Sequence, residues 1–550
     1  MHAVAVRPSH VVRFTHRSGA LVSLVVLASL LGGCGGRESL ADQAAADQRL
    51  LAGNGAEPSN LDPHTITGIP ERNVVMTLFE GLTRFDPATL EARPAAAARW
   101  DVSADGLVYT FHLRAGLQWS DGRDLSAHDF YRSFRRILSP ALGSDNADEM
   151  YVVVGAEAFH QGRSTDFSTV GFRVIDDRTL EIRLRHPSPY LLRTMASRTW
   201  IPVPMHVIEQ YGDPLDRNNP WTRPGRLVGN GPFVLHAWEP NRQIEVRRNP
   251  TYWNRDTVRL NAVQFFPIEN ETAEEAAFRS GQLHLTERVP LARLDSYRRD
   301  APELLRIAPL SGVYFYNFNV NQPPFTDVRV RQALAMAVDR EEIVSKVTRG
   351  GEKPAYHFTI EGIGGYVSEA RTRLDFDAAR RLLAEAGYPG GRGFPPITLL
   401  YNTAENHRVI AEVLQQKWKT ELGIEVRLEN QEWRVYLSNM DAGNFQLARA
   451  GLVMEPFDPA QFFKVFTQTS GFNRSGWSDP EYDRLYDEVM NTADETRRLA
   501  LMEQMERILT DAMPILPVYY YTRPYLLDRR VQGWTDNLMG LAPFEQAWLD

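Results

Sequence analysis

From residue 375 to residue 521 the chain alternates helix-like and strand-like segments, and this pattern constrains its fold more than any other feature. Asp375 opens a helical stretch that stops at Gly387-Tyr-Pro-Gly-Gly391. The strand-like run Ile397–Tyr401 precedes a helix over about Glu405–Leu422, which Gly423 ends. Next come the strand Ile424–Leu428, a helix near Trp433–Met440 and the strand Phe445–Arg449. A last helix, about Asp494–Asp511, leads to Pro514–Tyr521, read as a strand whose place in a sheet is not set by spacing. Such alternation predicts an α/β unit with parallel pairing. Upstream, Leu107–Leu113 and Thr179–Leu184 alternate as strands do, while Ser126–Leu138 and Thr326–Val338 read as capped amphipathic helices.

The N-terminus follows a different logic. Arg7, Arg13 and Arg17 stand in a segment without acidic residues, an apolar run follows over Ala20–Leu31, and Gly32-Gly33-Cys34-Gly35-Gly36 closes it. A basic segment, a short apolar core and small residues predict a secretory signal over 1–33. The apolar core falls short of the roughly 20 residues that a membrane span needs. Leu31-Gly32-Gly33-Cys34 resembles the bacterial lipobox, which implies acylation of Cys34, the chain's single cysteine, and a membrane anchor with a tether over 34–49. An acylated cysteine also accounts for an exported chain without disulfides. The net charge of −8 becomes −11 without the three signal arginines, a balance that argues against nucleic acid. The length after the signal exceeds one core and predicts two or three lobes.

Enzyme chemistry finds little support. There is no H-E-x-x-H, P-loop, G-x-S-x-G or strand-linked G-x-G-x-x-G, and the 13 histidines lack metal-ligand spacing. We therefore expect no catalytic activity, cofactor or metal. A set of short motifs occurs in a familiar order instead: Ser59-Asn-Leu-Asp-Pro-His64, Leu78-Phe-Glu-Gly81, Trp119-Ser-Asp-Gly122, Asn230-Gly-Pro-Phe233, Asn249-Pro-Thr-Tyr-Trp253 and Pro323–Arg331. Leu382–Tyr388, Asn430-Gln-Glu-Trp433 and Ala448-Arg-Ala-Gly451 complete it. In this order, over nearly the whole mature chain, the sequence resembles the extracytoplasmic oligopeptide- and murein-peptide-binding receptors of ABC importers.

The resemblance implies an α/β clamp of the type II periplasmic-binding-protein kind with an extra inserted lobe, mixed sheets and a hinge. Lobe I would combine 50–79, 204–306 and 523–550; lobe II would be 80–203, inserted into it; lobe III would be 307–522. It implies a monomer that takes short peptides and delivers them to a permease with partner ATPases. Ala450-Gly451-Leu-Val453 and the segment around Gly68-Ile69 would offer strand edges to an extended peptide. Glu455 would pair the peptide ammonium where the family has an aspartate, or else stand as a solvated loop carboxylate. Asp458 reads as a turn residue. His407 and Arg449 would serve the carboxylate ends of peptides of different length, and Trp433 would line the cleft. A further basic position of close relatives falls on Met440. Murein peptides, nickel complexes, heme and sugars are other cargoes of the scaffold, and peptide sensing without transport is a separate possibility.

Overall fold

The computed structural model describes residues 38–550 except Thr67, Glu432, Glu455, Pro456, Phe457 and Thr469. The signal segment, Cys34 and Glu455 therefore lie outside the described residues.

Two four-stranded sheets occupy the first half. One has the order Arg49–Gly53, Ala262–Phe266, Gln243–Arg248, Phe233–Glu239, with its first pair parallel and the others antiparallel. The other is antiparallel throughout, in the order Ala97–Val102, Val108–Leu113, Thr179–Arg183, Phe172–Asp176. The helix Ala127–Ile137 packs on it, started by a Ser126–Asp129 capping box that satisfies end N–H groups. One hydrophobic cluster spans both sheets, joining Leu50, Ile244 and Phe265 to Phe111, Phe134 and Trp200. Residues 80–203 thus bury their apolar face in a core continuous with that of the flanking segments.

The second half is built on a six-stranded sheet. Its order is Lys353–Pro354, Ile515–Leu526, Leu305–Phe318, Leu447–Val453, Ile397–Asn402, Val426–Gln431. Both faces are apolar and both are covered. Tyr314, Tyr316 and Phe318 enter one core with Leu399 and Trp418, while Val313 and Phe315 enter another with Phe358 and Met505. Successive residues of a strand point to opposite faces, so one strand feeds two cores.

Local signals place most of these elements. Asp375 and Asp494 cap their helices, and Gly423 ends Glu405–Leu422 in the left-handed region at φ 71°. Five expectations are corrected. The helix expected from Thr326 is capped by Asp327 and runs Val328–Met336, because the Asp327 carboxylate takes the Arg329 N–H. The strand expected at Ile424 begins at Val426, and the one expected at Phe445 begins at Leu447 and continues to Val453. In the six-stranded sheet, parallel pairing holds only where Ile397–Asn402 meets its two neighbours; the other pairs of that sheet are antiparallel. The strand expected at Pro514 runs Ile515–Leu526 and lies against Leu305–Phe318.

These last two strands carry the chain between the halves. They pair from Leu305↔Leu526 to Asn317↔Ile515, with a register break between Pro309 and Val313. Inside the break, Ser311 gives its N–H to Leu538 O (2.8 Å) and accepts from Met454 N–H (3.1 Å). A Cβ at Gly312 would lie 2.7 Å from Val453 Cγ2 and 2.9 Å from Leu452 O, so only glycine allows this approach.

Candidate functional site: an open strand edge beside a half-buried arginine

The strand Leu447–Val453 is paired along its whole length on one side and only partly on the other. Asn319 N–H bonds Gln446 O (2.9 Å), and Met454 N–H bonds Ser311 O (3.1 Å). Main-chain groups of even-numbered residues therefore face Leu305–Phe318, and those of 447, 449, 451 and 453 face the opposite side. On that side the Ile397–Asn402 strand pairs with Leu447 and Ala448 and then diverges. Gly451 and Val453 have no strand partner there among the described residues, and both are exposed. A Cβ at Gly451 would meet the Tyr521 hydroxyl at 2.5 Å and an Arg449 guanidinium nitrogen at 2.9 Å. The glycine keeps this face clear.

Arg449 lies half-buried among tyrosines. Its Nη2 donates to Tyr521 Oη (2.7 Å), its Nη1 to Asn402 Oδ1 (3.3 Å), and its guanidinium sits 4.6 Å from the centre of the Tyr314 ring. Its Nε is enclosed without a hydrogen bond, and among the described residues no carboxylate neutralises it. A cation away from water without a counter-charge is unfavourable, so the arrangement favours an anionic guest. His407, 8 % exposed, shares the site through Tyr314, whose hydroxyl lies 3.4 Å from Nδ1. Burial, then the Arg449 charge, holds its pKa down to about 3. His407 is thus neutral at ordinary pH and offers a hydrogen bond rather than a charge.

The other expected residues are distributed as follows. The strand edge expected at Gly68-Ile69 is corrected: Gly68 stands before the helix Ile69–Leu78, whose Pro70 at the second position favours helical backbone, and Ile69 is exposed at its first turn, on the wall of a cavity of about 330 Å³. Glu269, Glu271, Glu274 and Glu287 line that cavity, and burial pushes Glu274 up to about 7. Trp433 opens the helix Trp433–Asp441, but its side chain is outside what is described. Met440 is buried with Leu400, Tyr436, Phe445 and Ala448, so that position contributes to packing. Asp458 is more than a turn residue. It accepts the Ala460 N–H and forms a two-pronged ion pair with Arg498, at 2.6 and 2.7 Å, both side chains buried. Strand, arginine and histidine come together; Gly68 and Ile69 belong to the other half.

Sequence reasoning missed Tyr314, Tyr436, Tyr519 and Tyr521. Tyr314 stacks on Tyr519 at 4.7 Å, and Tyr521 stands edge-on to both. The alternation Tyr314-Phe-Tyr316 and the run Tyr519-Tyr-Tyr521 were visible signals, since alternate residues of a strand share a face. Nothing local connected them to Arg449.

An edge that can add a strand, an anion-seeking guanidinium and two halves joined by paired strands define a binding protein built as a clamp. The chain belongs to the bacterial extracellular solute-binding proteins, family 5, whose middle-region model matches residues 91–474. It is 35% identical to the periplasmic oligopeptide-binding protein OppA of Escherichia coli, over 96% of this chain and 97% of that one. It is 34% identical to the periplasmic murein peptide-binding protein MppA of Escherichia coli, over 90% and 91%. Among solved structures, the unliganded open form of MppA superposes with a TM-score of 0.82 at 33% identity, covering 92% and 98%. Haemophilus influenzae OppA in complex with the peptide RPPGFSPFR gives 0.71 at 30% identity, covering 92% and 99%. The type II clamp fold is that of these relatives.

Proposed function

We propose that this protein is the extracytoplasmic receptor of an ABC importer, which captures short peptides with little side-chain selectivity and hands them to a permease. The observation that carries the reading is that an open edge, Gly451 and Val453, adjoins Arg449, which no carboxylate neutralises among the described residues. An extended peptide satisfies the edge through its main chain, whatever its side chains, and brings a carboxylate to Arg449. The family relatives named for peptide binding support the same cargo.

In this reading lobe I is 50–79, 204–306 and 523–550, lobe II is 80–203 and lobe III is 307–522. The two crossing strands are the hinge, and the register break at Pro309–Val313 absorbs its bending. Gly68 and Ile69 meet the ligand from the facing lobe, Trp433 lines the cleft, and Glu455 pairs the ammonium. Residues 1–33 are a signal, and acylated Cys34 tethers a monomeric receptor to the membrane. The protein performs no chemistry on its cargo.

Native mass spectrometry of the purified mature protein tests the cargo: co-purified masses of short peptides are expected, and murein-derived masses would assign it to the murein branch. Calorimetry tests the site. Arg449→Gln should weaken a peptide with a free carboxylate by about 2–5 kcal/mol. The amidated peptide should lose far less, and equal losses would remove Arg449 from recognition.

A further inference from the structure

Tyr436 stands where the open edge stops. It lies on the helix Trp433–Asp441, its ring buried against Leu400, Met440, Phe445 and Ala448. Its hydroxyl donates to the main-chain carbonyl of Arg449. By the alternation established above, that carbonyl faces the same side as the free groups of Gly451 and Val453. Along this side, Leu447 and Ala448 are matched by Leu399 and Leu400, Arg449 O is taken by Tyr436, and Gly451 and Val453 have no strand partner among the described residues.

We propose that Tyr436 determines ligand length: by occupying the Arg449 carbonyl it ends the edge that a peptide can pair with. The inference rests on the peptide reading given above. A peptide lying on Gly451 and Val453 finds complementary groups at both. One that continues past Arg449 presents an N–H to a carbonyl already in use, and a main-chain donor left unmet in a closed cleft is unfavourable. A peptide that ends at this step meets the Arg449 guanidinium with its carboxylate instead. Termination is favoured at the point where continuation is penalised. Met440 reinforces this, because its side chain fills the cluster behind Tyr436 and supplies no second cation further along.

Tyr436→Phe keeps the ring and its packing and removes only the hydroxyl. The test is calorimetry of free-ended oligo-alanine peptides, from two to six residues, on both proteins, with thermal unfolding in parallel. For the wild type we expect affinity to peak at one length and fall beyond it. In Tyr436→Phe the peptides one and two residues past the peak should gain about fivefold, the scale of one net hydrogen bond, while shorter ones stay unchanged. A merely structural hydroxyl would lower the unfolding temperature and leave the length profile as it was; that result, or an equal change at every length, overturns the proposal. If the wild type binds no peptide of any length, the peptide reading falls first and this inference falls with it.

Discussion

His284 accepts the Leu51 N–H on Nδ1 (3.0 Å) and gives its Nε2 proton to Ala41 O (2.9 Å), so the fold uses it as a neutral ring. Burial holds its pKa down to about 4. The unfolded chain takes up this proton below about 6.5, whereas the folded protein refuses it until about 4. The stability due to the neutral ring is complete above 6.5 and lost as pH falls, by up to about 3 kcal/mol. Buried Glu80 and Glu274, both pushed up to about 7 by burial, work with the opposite sign, so the difference between variants is the informative quantity. Urea unfolding at pH 7 and pH 4.5 should show a smaller drop for His284→Asn than for the wild type; equal drops would refute the assignment. At this scale the ordered motif Ala448-Arg-Ala-Gly451 drew attention to Arg449, which the structure sets beside the open edge and His407. The sequence was silent about His284, whose partners are 233 and 243 positions away.

Elements were legible when their signals were local. The capping aspartates and Gly423 marked helix ends because the groups they satisfy lie within a turn. The local pattern ended the strand at Arg449, and only the resemblance implied an edge over Ala450–Val453, because Ala450-Gly451 carries little strand propensity and its last residues are held by Leu305–Phe318, over 130 positions away. The Asp458–Arg498 pair shows the same limit, its partners standing 40 positions apart. It ties the short helix Ala460–Lys464 to the helix Glu495–Ala512. Removing one member of a buried pair strands the other charge, so Arg498→Met should cost about 3–5 kcal/mol in denaturant unfolding. A loss under about 1 kcal/mol would mean that water reaches Asp458 freely.

On the scale of the whole molecule, 80–203 has its own sheet yet no core of its own. Trp119 of this segment meets His206 of the flank at 6.0 Å, and no periodicity announces such a contact. Calorimetry should therefore show at most two transitions, with 80–203 melting together with its flanks; a third, separate transition would contradict the shared core. Across the two halves, the Arg498 guanidinium lies over the Tyr190 ring at 5.2 Å. The superposition is better on an unliganded open relative than on a peptide complex. Small-angle scattering of the free protein should match this spacing, and added peptide should reduce the radius of gyration. The stub of unpaired main chain at Gly451 and Val453 has one more consequence. An exposed sheet edge invites strands from other molecules, and long ones nucleate aggregates. Ended at Arg449 by the Tyr436 hydroxyl, and with only Gly451 and Val453 lacking a strand partner on this side among the described residues, this one is too short to seed sheet growth between neighbouring copies.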